Sequence, residues 1–209
     1  MSSGELSINS FISDLANPVY APGGGAAAAL SAALSSALVC MASSLTAVNP
    51  RFSCFRDELT AASEKLRELN TRLIALIDRD AEAFEPLSKV YKLPKETEGY
   101  SQILQAAVLY ACSVPEDILL CISELCAVLA AVREKCSPSI LPDVCCAAYL
   151  SAAAAKCAAI TVFSNTNMIQ DTADAQRIAD KTIRLTEEIC SVCELTASSI
   201  AEKFTPEGH

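Results

Sequence analysis

Pro22-Gly23-Gly24-Gly25, running directly into Ala26-Ala27-Ala28-Ala29-Leu30 and an apolar stretch to Thr46, decides how this chain is read. Three glycines after a proline disfavour helix interior, because glycine frees the backbone and costs helix stability. The residues that follow are dominated by alanine and leucine, the strongest helix formers. The glycines therefore mark a helix start, where the first N–H groups lack intrahelical partners and the macrodipole is positive. Such an end suits a carboxylate or a phosphate. On this stretch alone, a flexible turn ahead of a buried helix is the plainer reading. No GK[ST] follows, so it is not a P-loop.

The 209 residues suffice for one well-buried core. With 52% hydrophobic residues, 5% aromatics and no Trp, that core is built from Ala, Leu, Ile, Cys and Val. Small side chains of this kind favour closely packed helices over a sandwich or barrel. A net charge of −9 argues against a nucleic-acid partner, which requires clustered Lys and Arg. No charge occurs between Asp14 and Arg51, an interval long enough to span a bilayer. Ser31, Ser35, Ser36, Ser43 and Ser44 recur through it, and alanine adds little to insertion. We therefore expect a buried core helix and no membrane partner.

Of the eleven cysteines, Cys112, Cys121, Cys126, Cys145, Cys146, Cys157, Cys190 and Cys193 fall in helix-like runs, where cysteine acts as a small hydrophobe. No strand precedes Cys190-x-x-Cys193, as a thioredoxin-like motif requires. The single histidine, His209, gives no support to a zinc site. Reduced thiols, no metal and a cytoplasmic setting are expected. Glu5 and Asp14, with no basic start, argue against a secretory signal.

Every long segment reads as helix. A short one near Ser7–Ala16 leads to the Pro-Gly turn; the charge-free helix runs from about Gly25 to Val48 and stops at Asn49-Pro50. A long amphipathic helix covers Phe55 to about Val90. The next begins near Glu98 and meets Pro115, which either kinks it or starts a new helix reaching Lys135. Pro142 to Phe163 is again nearly uncharged, and Asp171 caps a last helix to about Lys203. The expected architecture is one all-α domain over 1–209, an antiparallel helical bundle with long central apolar helices. Two nearly uncharged helices need neighbours on every side, which one bundle of this size does not supply. A homodimer is the expected remedy.

Leu59, Ala62, Leu66, Leu69, Leu73 and Leu76 alternate steps of three and four and define one apolar stripe. The next position on it is Asp80, followed by Phe84 and Leu87, while Asp78 points away. A carboxylate on a buried face is costly unless paired or hydrogen-bonded. Asp80 thus either has a structural partner, such as an Arg or a helix N-terminus, or belongs to a polar site. Lys89 and Lys92 complement a helix end; Lys95, past Pro94, is free to reach an anion. Asp143 sits in a helix first turn and Asn165 near a helix end, and both positions have ordinary structural readings. With one terminal histidine, Ser-His-Asp and Cys-His catalysis are excluded.

Pro22-Gly23-Gly24-Gly25, then Ile77-Asp78-Arg79-Asp80-Ala81-Glu82-Ala83-Phe84, Lys92-Leu93-Pro94-Lys95, Ser113-Val114-Pro115, Asp143, and Asn165 with Ile169 and Asp171 follow in order. This set resembles the formiminotransferase-cyclodeaminase C-terminal domain family over nearly the whole chain. The resemblance implies an all-α homodimer that takes a tetrahydrofolate derivative as substrate, with no prosthetic group. It implies catalytic roles for Asp80 and Asp143, and substrate binding by Gly23, Gly24, Gly25, Lys95 and Asn165. Two reactions are implied. In one, N10 of 5-formiminotetrahydrofolate attacks the formimino carbon and ammonia leaves, giving 5,10-methenyltetrahydrofolate; in the other, water adds to the methenyl carbon. An acid must protonate the departing nitrogen, and Asp80 or Asp143 is the candidate.

The chain departs from the family pattern at four places. Ala26 replaces the usual Ser, and Ala47-Val48-Asn49-Pro50-Arg51-Phe52 stands where a Gly-Lys-Lys-Tyr-like segment is common. Cys136-Ser137-Pro138-Ser139 replaces Gly-Asn-x-Asn, and Thr161 replaces an Asn. Arg51 and Arg56 are the candidates to stand in for the lost lysines. The alternative reading is a non-catalytic dimeric binding protein that keeps the fold with a degenerate site.

Overall fold

The computed structural model describes residues 7–18 and 21–204, so Glu5 and His209 lie outside the described residues. Within these, six α-helices follow one another: α1 Ile8–Ala16, α2 Gly24–Ala47, α3 Arg56–Val90, α4 Tyr100–Arg133, α5 Leu141–Thr166 and α6 Thr172–Ala201. A 3-10 turn at Pro50–Phe55 links α2 to α3. The punctuation is as local chemistry demands. Ser7 Oγ accepts from Ser10 N–H at 3.1 Å to cap α1, and Asp171 Oδ1 accepts from Ala173 and Asp174 N–H to cap α6. Pro115 neither ends nor restarts a helix, since α4 runs through it without interruption.

Helices α2, α3, α4 and α5 close a ring in which each packs on the next and α5 returns to α2, and α6 covers the groove between α4 and α5. The close approach of α2 to its neighbours follows from its small residues. Ala26, Ala29, Ala32 and Ala42 are fully buried, and so are Ser35 and Ser36. A buried hydroxyl without a partner costs about 1–3 kcal/mol, and the α2 serines each find one. Ser35 Oγ donates to Ala147 O of α5 at 2.8 Å, and Ser36 Oγ to Leu66 O of α3 at 3.0 Å. Ser31 and Ser43 bond back to the carbonyls four residues earlier. These hydroxyls stitch the charge-free helix to both partners.

The α3 stripe lies inward as its spacing predicts: Leu59, Leu66, Leu69, Leu73, Leu76 and Leu87 are buried. At its solvent edge α3 is tied to α4 by Arg72–Glu124 at 3.0 Å and Arg79–Asp117 at 3.1 Å. Such exposed pairs are worth roughly 0–1 kcal/mol each, so the leucines carry the packing.

The eleven cysteines are free thiols. Cys126 and Cys193 meet in the core between α4 and α6 with their sulfurs 3.5 Å apart. Cys146 and Cys157 differ from the expectation of buried small hydrophobes, for both are exposed on α5. They belong to an outer apolar face. Helix α2 and the Pro138–Thr166 stretch are long and apolar enough to cross a membrane, yet 56% and 44% of their apolar windows are buried inside the fold. The uncovered remainder of each helix is an exposed stripe. Leu34, Met41, Leu45 and Val48 project from α2, and Cys146, Tyr149, Cys157 and Ile160 from α5.

Candidate active site

The N-terminus of α2 opens into a cavity of about 330 Å³. Gly23 is the N-cap residue in extended conformation, without a side chain to satisfy the helix, so Gly24 and Gly25 occupy the first turn. Asp80, arriving on the α3 stripe, supplies what the cap lacks: its Oδ2 accepts from Ala26 N–H at 3.0 Å. The approach is so close that only glycine fits beneath it. A Cβ on Gly25 would fall 2.1 Å from Asp80 Oδ1. Gly24 is less constrained, because its Cβ would meet Thr161 Oγ1 at an ordinary 3.6 Å.

Both alternatives left open for Asp80 are realised at once, as it bonds a helix N-terminus and lines the cavity. Among the described residues no cation pairs with it; its neighbour Arg79 turns instead to Asp117. Burial pushes the Asp80 carboxyl above its ordinary value, and the Ala26 N–H pulls the other way without cancelling that rise. An acid raised by desolvation and set at a helix N-terminus is suited to hold a proton and give it up to a substrate atom.

The opposite wall comes from the end of α5. Asn165 is buried, and its Nδ2 donates to Ala111 O of α4 at 3.1 Å, so its Oδ1 is the group left to the cavity. Thr161 Oγ1 donates to Cys157 O at 3.0 Å, which leaves its lone pairs toward Gly24. Phe84, one turn beyond Asp80, gives an apolar floor, with Ile160 and Ser164 at the rim. Ser164 and Ala111 were not anticipated from sequence. The only signal for Ser164 is its i, i+3 relation to Thr161.

The structure thus brings Gly23, Gly24, Gly25, Asp80 and Asn165 to one cavity and does not bring Lys95 or Asp143 to it. Lys95 is exposed in the connection between α3 and α4. Asp143 occupies the first turn of α5, while Asn165 ends that helix. The 22 intervening steps correspond to about 33 Å at 1.5 Å per residue. The altered segments 47–52 and 136–139 lie at that same far end, where Thr46 meets Cys136 and Ser137. Arg56 is engaged there too, its Nε donating to Ala47 O at 3.3 Å. Among the described residues no three His, Cys, Asp or Glu side chains converge in a metal-binding cluster.

Comparison with known proteins agrees with this architecture. The family profile described as formiminotransferase-cyclodeaminase matches residues 7–184. A methenyltetrahydrofolate cyclohydrolase of Methylorubrum extorquens is 30% identical over 177 residues, covering 83% of this chain and 85% of that protein. A formimidoyltransferase-cyclodeaminase of Rattus norvegicus is 28% identical over 144 residues, which are 67% of this chain and 27% of that longer protein. Among solved structures, a formiminotetrahydrofolate cyclodeaminase from Thermotoga maritima superposes with a TM-score of 0.83 at 24% identity, covering 94% of this chain and 98% of that one. At that identity the superposition speaks for the fold. The profile match takes in most of the sequence, and a relative of similar length is matched nearly end to end. The chain belongs to the formiminotransferase-cyclodeaminase family.

Proposed function

We propose that the cavity between the α2 N-terminus and the end of α5 carries out a one-carbon conversion on a tetrahydrofolate derivative, at the formimino or methenyl carbon. The observation that carries this reading is Asp80, a half-buried carboxyl of raised pKa on a helix N-terminus with no cation among the described residues to hold it ionised. For 5-formiminotetrahydrofolate, N10 bonds to the formimino carbon and its proton passes to the imino nitrogen; Asp80 supplies a second proton to that nitrogen, its C–N bond breaks, and ammonia leaves the methenyl cation. For 5,10-methenyltetrahydrofolate, water adds to the same carbon while Asp80, ionised, takes its proton; one of the two C–N bonds then breaks, its nitrogen receives that proton, and a formyl group remains on the other nitrogen. One acid–base group contributes about 10²–10⁴-fold to such a step.

An apolar groove of about 470 Å³ lies one turn along the same helices, with Val90, Leu93, Ala107 and Tyr110 in its walls. Ala107 and Ala111 are successive turns of α4, so groove and cavity adjoin. The flat aromatic part of a folate suits this groove. Lys92 and Lys95 are exposed in the connection that leaves α3 and offer cations to its carboxylate tail.

The reading includes a homodimer in the cytoplasm. A chain of net charge −9 repels its own copy least through a face poor in charge, and the uncovered α2–α5 stripes form such a face, with Lys156 exposed at its edge. Asp143 is too distant to act beside Asp80 of its own chain, so its catalytic role belongs to the pocket of the second copy. Turnover of methenyltetrahydrofolate, followed by its near-ultraviolet absorbance, and ammonia release from 5-formiminotetrahydrofolate test the reaction. Tetrahydrofolate binding without either turnover would favour the non-catalytic alternative. Mixing unfolded Asp80→Asn and Asp143→Asn chains and refolding them tests the shared site. Random pairing should restore roughly a quarter of wild-type activity, half the dimers being mixed with one intact site each. No restoration, or full activity of Asp143→Asn alone, would remove Asp143 from the mechanism.

A further inference from the structure

We propose that Pro115 is a positioning residue for the cavity: by withholding an N–H from Ala111, it fixes the Asn165 amide so that an acceptor oxygen faces the ligand. In a helix the carbonyl of residue 111 accepts from the N–H of residue 115. Proline has none, yet Pro115 is buried and α4 continues through it. The Ala111 carbonyl is filled from outside the helix, by Asn165 Nδ2 at 3.1 Å. A carbonyl only accepts, so the amide atom facing it must be the nitrogen. The flip of Asn165 is thereby settled, and Oδ1 is the end turned to the cavity.

The chemical consequence is a wall of defined sign. Across the cavity, the α2 N-terminus offers N–H donors, and Asp80 stands beside them. Asn165 Oδ1 opposes them as an acceptor. A ligand whose one-carbon group presents an N–H toward α5 satisfies this wall, whereas one presenting a carbonyl oxygen leaves two acceptors face to face, an unfavourable arrangement in a partly desolvated site. The pocket therefore selects an amidine-type group, –N–CH=NH, over the formyl group –N–CH=O. This selectivity rests on the folate reading; the orientation of Asn165 by Pro115 does not.

The experiment is Pro115→Ala, made in the wild type and in an Asn165→Ala background. An alanine N–H at 115 closes the ordinary helical bond to Ala111 and releases Asn165. The side-chain amide protons of Asn165, followed by NMR hydrogen exchange, should exchange at least tenfold faster in Pro115→Ala. The KM for the formimino substrate should rise about tenfold with kcat changed far less, and the same substitution should have no further effect on KM in the Asn165→Ala background. Asn165→Leu, which keeps the size and removes the acceptor, should lose the preference for the formimino over the formyl compound in competition binding. Unchanged Asn165 exchange in folded Pro115→Ala overturns the positioning role whatever the enzyme acts on. Failure of Pro115→Ala to fold would also overturn it, because the proposal holds that alanine suits this helix. Faster exchange with equal binding of the two compounds would leave Pro115 as the positioning residue and overturn the selectivity.

Discussion

At one end of the α2–α5 pair, Gly24 begins a helix between Asp80 and Asn165; at the other, Thr46 completes the same helix against Cys136 and Ser137. The two ends share helices, burial and apolar composition, and they dispose of their backbone polar groups differently. At the Thr46 end the chain satisfies itself. Thr46 Oγ1 donates to Ala42 O at 2.8 Å and accepts from Ser137 N–H at 3.2 Å, and Arg56 covers the Ala47 carbonyl. At the Gly24 end, the first N–H groups of α2 find one side-chain partner among the described residues, Asp80, through Ala26 N–H. Glycine at the N-cap removes the side chain that would otherwise have closed the helix. A helix terminus becomes a site when its own sequence declines to cap it.

Breaking the open end should cost activity and spare the fold. Asp80→Asn keeps an oxygen for Ala26 N–H and removes the proton, so turnover should fall on the order of 10²-fold or more. With no cation left unpaired, the thermal melt should not show the 3–5 kcal/mol loss typical of a broken buried ion pair, roughly. A drop of that size would mean that Asp80 is a structural residue. Gly25→Ala attacks the same contact from the other side. Its Cβ would overlap the Asp80 carboxyl and push it off Ala26 N–H, so about tenfold or greater loss of turnover should accompany a Tm lowered by the overlap despite alanine's helix preference.

Breaking the closed end should do the reverse. Thr46→Val leaves Ser137 N–H without its acceptor, and stability should fall by about 1–3 kcal/mol with KM and kcat essentially retained. A comparable loss of turnover would show that the Thr46 end reaches the chemistry, within the chain or through the pocket of a second copy.

A finer difference lies in pH. The Asp80 pKa is raised above its ordinary 3.8, so the folded protein holds this proton more tightly than the unfolded chain. Its contribution to stability is complete below the unfolded value and is lost as pH rises through the folded value. Asp80→Asn should therefore melt like the wild type at the acid extreme and gain relative to it as pH climbs through the weakly acidic range. Wild type gaining instead would reverse the sign of the shift. The smallest effect belongs to Gly24→Ala, where a Cβ meets Thr161 only at van der Waals distance, and activity should stay within about threefold of wild type. The contrast between adjacent glycines is the sharpest reading of how the carboxylate is seated.

Much of this molecule is written locally. Alanine-rich runs, the leucine spacing of α3, the Asp171 cap and the glycine and proline stops predict six helices, or seven if Pro115 starts a new one, with outer boundaries close to those observed. The same spacing sets Asp80 on a buried face, because a 3.6-residue period is a property of a short stretch of chain. What surrounds that carboxylate is of another kind. Ala26 with Asp80, and Ala111 with Asn165, are each 54 positions apart, and both bonds exist only once α2, α3, α4 and α5 have closed their ring. Periodicity leaves Pro115 as either kink or helix start; only packing shows a continuous helix whose orphan carbonyl is taken by a neighbour. Asp143 and Asn165 are both near ends of one apolar run, and the unbroken length of α5 is what separates them. Sequence alone determined which residues turn inward, since that depends on near neighbours in the chain. Tertiary structure decided which inward-facing groups meet, since a hydrogen bond requires its partners within about 3 Å of each other whatever their separation in sequence.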